Sequence, residues 1–348
     1  MKLVTLEEHW ESQQVNEAAK PYLPSWTPQH HNPEDHSIAD FAAMSGNTQS
    51  AITAAGEDRL KFMDDNGIAM QIMGYGDNTP QNLEPSVAIP LARQANDELT
   101  DAIAQHPDRL GGWAVLPVGD PEAAASELMR AVQEKGLQGA MIHGVYNGKF
   151  FDDPFYEPIF AMAEQLNVPL YFHPALIPGN ISGHYFEGEW SELAAYTFAG
   201  AGWGWHEDLG VQMVRLIMDG VFDRHPNLHI ITGHWGEMVP NFIERLDQTV
   251  GLAVKLDRSI LETYRDNFFI TPSGMLYQSQ MALTKTIMGA DHLMYSIDYP
   301  YNQRVGAAAA HFLDEADLTD DERQKIGYQN AVDLLQLDGK LKGEKGND

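Results

Sequence analysis

Five ionisable side chains stand at the ends of apolar runs. Glu7 and His9 close Leu3-Val4-Thr5-Leu6, and His173 closes Val168-Pro169-Leu170-Tyr171-Phe172. His234 follows Leu228-His229-Ile230-Ile231-Thr232-Gly233, and Asp298 closes Leu293-Met294-Tyr295-Ser296-Ile297. Imidazole and carboxylate are the donors that hold zinc, manganese, iron or magnesium. The chain has no cysteine, which removes disulfides, thiolate zinc sites and cysteine nucleophiles together. If the apolar runs are parallel strands of a barrel, these groups converge at one mouth, and the spacing predicts a metal site.

Residues two apart on a strand share a face, so Glu7 and His9 can chelate one ion while Glu8 points the other way. His173 reads equally as a hydrogen-bonded core histidine, although Pro174 turns the chain and exposes the imidazole at a strand end. A carboxylate at the place of Asp298 is too costly to bury unpaired and needs a cation or a hydrogen-bond cage. His234 and Glu237 are three apart around an expected helix start, close enough for a hydrogen bond that fixes the imidazole tautomer. Arg245, about two helical turns beyond Glu237, reads either as a partner for an acid at the site or as a surface arginine. Trp203, Trp205, Tyr299 and Tyr301 fit a flat pocket for an aromatic ring, and equally a packing layer or a subunit interface. The cluster His30-His31-Asn32-Pro33-Glu34-Asp35-His36 lies in irregular sequence where nothing holds ligands rigidly, and is not read as a second site.

The elements that must position these groups alternate. Strands are expected at 2–9, 67–75, 111–118, 138–144, 167–173, 228–234, 267–272 and 292–298. Amphipathic helices are expected at 86–106, 121–135, 155–166, 207–219, 237–250 and 303–314. That alternation predicts an α/β fold, a (β/α)8 TIM barrel, within one domain over 1–337. A doubly wound sheet lacks its Gly-x-Gly-x-x-Gly after the first strand. Loop insertions follow strand 1 (10–55, read as a lid) and strand 5 (174–206). Thr319-Asp320-Asp321-Glu322 opens a C-terminal helix over 319–337 with a capping box, and 338–348 reads as a flexible tail.

The 348 residues carry 50 acidic against 22 Lys and Arg side chains, a formal charge of −28 that argues against a nucleic-acid partner. An anionic substrate would need local positive charge from a metal or an arginine. No apolar run reaches membrane-spanning length and Met1-Lys2 leads straight into a strand-like segment, so a soluble, cytoplasmic protein with no membrane partner is expected.

Three motifs together resemble the amidohydrolase superfamily, in its amidohydrolase-2 branch of aromatic-acid decarboxylases. Leu6-Glu7-Glu8-His9 is similar to the Glu-x-His opening of that branch. Gly220-Val221-Phe222-Asp223-Arg224-His225-Pro226 with Gly233-His234-Trp235-Gly236-Glu237 resembles its second signature, and Ser296-Ile297-Asp298-Tyr299-Pro300 its strand-eight motif. The insertion at 10–55 departs from the branch. The γ-resorcylate, 2,3-dihydroxybenzoate and salicylate decarboxylases are the most similar in appearance. The resemblance implies one divalent ion, manganese or zinc before magnesium, on Glu7, His9, His173 and Asp298. Met141-Ile142-His143-Gly144 offers no lysine for the carbamate bridge of binuclear relatives. It further implies nonoxidative decarboxylation of an ortho-hydroxy aromatic carboxylic acid. Asp298 would protonate the ring carbon, with His234 and Glu237 in support and Arg245, Trp205 and Tyr301 on the substrate. Metal-dependent hydrolysis of a lactone or amide, or hydration of an unsaturated acid, is the alternative. A homodimer or homotetramer is expected from the same resemblance.

Overall fold

Short apolar runs form seven parallel strands: β1 (Leu3–Trp10), β2 (Ile68–Tyr75), β3 (Leu110–Gly112), β4 (Ala140–His143), β5 (Leu170–His173), β6 (Ile230–Thr232) and β7 (Phe268–Ile270). The computed structural model describes residues 2–23, 32–44, 50–77, 79–177, 179–302 and 306–341. The strands make two arcs, β1-β2-β3 and β4-β5-β6-β7. A parallel bridge between Ala114 and Ala140 joins the arcs on one side. On the other, the eighth expected strand does not form a ladder. Its residues Leu293 and Tyr295 make single parallel bridges to Ile270 of β7 and Thr5 of β1. Main-chain bonds from Met294 N to Ile270 O (2.8 Å) and from Leu6 N to Tyr295 O (3.1 Å) complete the circuit. The molecule is a closed (β/α)8 barrel with a thin eighth stave, as the alternation of the sequence implies.

An irregularity in β1 decides where the site can be. Val4 and Leu6 pack inside the barrel with Met70, Ile72, Met141, Ile231 and Met294, whereas Leu3 packs outward against the helical layer. Strict alternation would send Glu8 inward and Glu7 outward. Between the pairs Thr5↔Gln71 and Glu8↔Met73, β1 advances one residue more than β2, a β-bulge. Glu7 and His9 therefore face the barrel axis, and Glu8 faces the layer behind it.

The expected helices are found at Pro85–Gln105, Pro121–Gln133, Glu157–Leu166, Gly204–Met218, Val239–Thr249 and Gly306–Glu315. Helices at Glu57–Asp65, Ile260–Asn267 and Gln278–Met288 were not expected; each shows only two or three turns of apolar periodicity. Neither insertion is pure loop. The first carries helices Gln13–Ala19 and Ser37–Met44, and the second Gly179–Tyr185 and Glu192–Ala199. They are stitched together: Glu192 N donates to Asp35 Oδ2 (2.8 Å) and Leu193 N to Ser37 Oγ (3.1 Å), so one insertion caps a helix of the other. Within the histidine cluster of the first insertion, His30 and His31 lie outside the described residues.

The C-terminal helix starts at its capping box, with Thr319 and Glu322 bonded reciprocally, but is not continuous. It runs Asp320–Gln324, loosens into a π-turn at Lys325–Gln329 and resumes at Asn330–Leu335. Its Ala331, Val332, Leu335 and Leu337 join the interior cluster of the barrel and plug the end opposite the strand C-termini. Of the tail expected over 338–348, residues 338–341 are described, and Lys340 Nζ donates to Gly136 O (2.8 Å); the rest lies outside the described residues.

Candidate metal centre

Glu7, His9 and His173 present ligand atoms within 4.8 Å of one another at the barrel mouth, and all three residues are buried. The outer hydrogen bond of each imidazole fixes its tautomer. A carbonyl only accepts, so His9 Nδ1 donates to Tyr75 O (3.3 Å) and His173 Nδ1 to Pro174 O (2.7 Å). Both Nε2 lone pairs are left facing carboxylates: His9 Nε2 lies 3.0 Å from Asp298 Oδ1, and His173 Nε2 3.4 Å from Glu7 Oε1. Glu7 Oε1 and His9 Nε2 are buried without a hydrogen-bond partner. Acceptors that face acceptors in a dry site call for a cation between them, and a nitrogen-and-oxygen donor set suits a divalent ion.

The electrostatics agree. Burial alone would lower the pKa of His9, yet Asp298 and then Glu7 pull it upward. Burial alone would raise Glu7, yet His234, His173 and His9 hold it well below the ordinary carboxylate range. Asp298 remains raised, because burial outweighs His9. Asn302 Nδ2 donates to Asp298 Oδ2 (2.9 Å), leaving Oδ1 turned to His9.

His234 comes into place on an unusual backbone. His234, Trp235, Gly236, Glu237 and Met238 all have positive φ, from 46° to 82°, so the segment is a left-handed turn and the helix begins only at Val239. The helix start expected at 237 is thus displaced by two residues. Left-handed backbone costs roughly 1–2 kcal/mol per non-glycine residue, and such strain gathers at functional sites. Within the turn His234 Nδ1 donates to Glu237 Oε1 (2.7 Å), and His234 Nε2 points back to Glu7 Oε1 at 3.6 Å. Against burial, Glu237 and Glu7 push the pKa of His234 up to about 10. On its other side Glu237 Oε2 accepts from His206 Nδ1 (2.6 Å), and Trp205 Nε1 donates to His206 Nε2 (3.0 Å).

Trp205 therefore joins the cluster through His206, and Tyr301 joins it directly, its ring 5.3 Å from that of His9. Trp203 is exposed and bonded to Glu207, and Tyr299 is buried between Arg59 and Phe62, so neither lines the mouth. Arg245 is exposed on helix Val239–Thr249, with no bond to the cluster among the described residues.

Sequence reasoning missed His206, His143 and the supports of the ligands. His143 ends β4, and its Nδ1 is 3.1 Å from His173 Nδ1; burial, then His173, keeps its pKa well below the usual value. Glu8 does face away, but it accepts the amides of Ile297 (3.0 Å) and Tyr299 (3.1 Å), which flank Asp298. A glutamate inside a buried strand was the available signal.

A closed parallel barrel whose strand ends gather buried imidazoles and carboxylates around an electron-rich gap defines a barrel of the metal-centred class. Within that class the chain belongs to the amidohydrolase family, whose family model matches residues 27–337. It is 36% identical over 293 residues to a protein named decarboxylase orsB from Emericella nidulans, covering 82% of this chain and 87% of that one. It is 36% identical over 296 residues to a gamma-resorcylate decarboxylase from Rhodococcus jostii, covering 80% and 87%. Among solved structures, it superposes with a TM-score of 0.83 on a dihydroxybenzoic acid decarboxylase from Polaromonas sp. JS666, at 27% identity, covering 98% and 99%. That protein was solved with bound manganese and the inhibitor 2-nitroresorcinol.

Proposed function

We propose that this chain is a metal-dependent, nonoxidative decarboxylase of ortho-hydroxy aromatic carboxylic acids. The observation that carries the reading is the pair of buried, partnerless lone pairs on Glu7 Oε1 and His9 Nε2, in a chain so similar to hydroxybenzoate decarboxylases. Glu7, His9, His173 and Asp298 would hold the ion, with manganese first on the strength of the Polaromonas structure and zinc or magnesium behind it. When bound, the ion supplies positive charge to the phenolic and carboxylate oxygens of the substrate.

The chain's own residues do the rest. Trp205 and Tyr301 flank the aromatic ring and exclude water. His234, its Nδ1–H held by Glu237, orients the phenolic oxygen of the substrate through Nε2–H. Asp298, protonated, delivers its proton to the ring carbon that bears the carboxylate. A C–H bond forms there, the C–C bond to the carboxylate breaks, its electron pair restores the aromatic ring, and carbon dioxide leaves. The working form we infer is a cytoplasmic homodimer or homotetramer.

The test is carbon dioxide release from γ-resorcylate and a panel of hydroxybenzoates by the manganese-loaded protein. Asp298→Asn is expected to lower turnover by about 10²- to 10⁴-fold while 2-nitroresorcinol still binds. Full turnover in that variant would remove Asp298 as the acid. Hydrolysis of a lactone, with no carbon dioxide from any hydroxybenzoate, would overturn the decarboxylase reading.

A further inference from the structure

We infer that Tyr171 and Ser273 form a hydroxyl clamp that commits Glu7 to hold a divalent ion through Oε1 alone, making Tyr171 a positioning residue for metal affinity. The inference rests on the reading of Glu7 as a ligand and adds what fixes its geometry.

Glu7 Oε2 accepts hydrogen bonds from Tyr171 on β5 and from Ser273 beyond β7. Behind them the hydroxyl groups are ordered. Ser296 Oγ donates to Thr271 Oγ1 (2.8 Å), which lies 2.9 Å from the Tyr171 hydroxyl and 3.2 Å from Ser273 Oγ. With Tyr171 and Ser273 giving their protons to Glu7, Thr271 can donate to either of them, so every O–H of the chain runs toward one carboxylate oxygen. Hydrogen bonds to an ionised acceptor are about twice as strong as neutral ones, and a chain of them is cooperative.

Oε1, by contrast, has no hydrogen-bond donor and faces the Nε2 atoms of His173 and His234 at 3.4 and 3.6 Å. Rotation of the carboxylate to offer both oxygens would break two bonds at once. Gly233 makes room for this pose, since a Cβ there would collide with Glu7 Oε2 and Ser273 Oγ. Strands 5, 6, 7 and 8 thus all contribute to the pose of one side chain on strand 1.

The experiment uses full-length protein stripped of metal. Mn²⁺ affinity is measured by competition with a chelator, and the visible spectrum of the Co²⁺ form reports coordination geometry. Removing an outer hydrogen bond to a ligand typically costs about 10- to 100-fold in metal affinity. Tyr171→Phe keeps the ring in the barrel and is expected to weaken Mn²⁺ binding by that factor and to alter the Co²⁺ spectrum. Ser273→Ala is expected to act in the same direction and serves if Tyr171→Phe fails to fold by circular dichroism. Thr232→Val is the control: the Thr232 hydroxyl is buried in the same wall without a partner, and its loss is expected to leave affinity unchanged. Wild-type affinity and an unaltered Co²⁺ spectrum in both clamp variants would overturn the clamp, as would an equal loss in Thr232→Val. Failure of the wild type to bind any divalent ion would overturn the ligand reading itself, and the clamp with it.

Discussion

Glu8→Gln tests whether the proposed proton donor is held from behind. The Glu8 carboxylate is buried, with one oxygen accepting Ile297 N at 3.0 Å and the other Tyr299 N at 3.1 Å and Gln71 Nε2 at 3.3 Å. A glutamine can keep only one acceptor oxygen. Turned toward the two donors of Tyr299 and Gln71, it sets its NH2 against the Ile297 amide. A buried donor left without an acceptor costs about 1–3 kcal/mol, and the expected loss of unfolding free energy is of that size. Asp298 lies between the two amides with φ of 64°, so the loop that relaxes is the one that aims its carboxyl. A displacement of about 1 Å in a reacting group costs on the order of 10²-fold in rate, which sets the expected fall in kcat. The metal content is expected to fall far less than the rate, because three of the four proposed ligands, Glu7, His9 and His173, are untouched. The assay is carbon dioxide release at pH 8, above the value of about 7 to which burial lifts Glu8 against its amide donors. Below that value protonated Glu8 also has a single good acceptor, so the gap between variant and wild type is expected to narrow as pH falls. Unchanged kcat and unchanged stability at pH 8 would refute the reasoning.

Two further predictions concern the scaffold. Leu337→Ala, in the plug beneath the barrel, is expected to cost about 2–5 kcal/mol in denaturant unfolding while metal stoichiometry is retained, since Leu337 is fully buried at the end away from the mouth. Asp208 on helix Gly204–Met218 is raised to about 6 by burial and then by Glu207. Its folded pKa exceeds its unfolded one, so the wild type loses stability as pH rises from about 4 to about 6. Asp208→Asn is expected to be more stable by about 1–3 kcal/mol at pH 7 and nearly equal at pH 4, measured by urea unfolding at both values.

The barrel was legible because each strand run is short, apolar and followed by helical periodicity, and because polar groups end the runs. What escaped is what such patterns do not encode. The eighth strand reads as a full run at 292–298, yet among the described residues it makes single bridges at Leu293 and Tyr295 and no ladder, since β-propensity says nothing of how much ladder a closing stave needs. The bulge that turns Glu7 inward has no signature in Thr5-Leu6-Glu7-Glu8. His234 and Glu237 were placed together by spacing, but the left-handed turn that carries them was invisible, as Trp235 and Met238 are poor residues for positive φ. Hydroxyl groups such as those of Tyr171 and Ser273 give no sequence signal, because Thr, Ser and Tyr are ordinary strand residues and their meeting at Glu7 is what sets them apart.

Glu8 reaches Tyr299 across 291 residues of sequence, and Glu7, His9 and Asp298 meet where the first stave touches the last. A nascent chain therefore cannot assemble this cluster until strand eight has left the ribosome, however early strand 1 emerges. An ion held across that join would act as a fastener on a pairing that has a bridge but no ladder, so loading and the last step of folding would reinforce each other. Circular permutation offers a way to move the join: with the new ends opened between two helices elsewhere, the halves of the cluster would become neighbours in sequence, and folding would no longer wait for its two farthest parts to find each other.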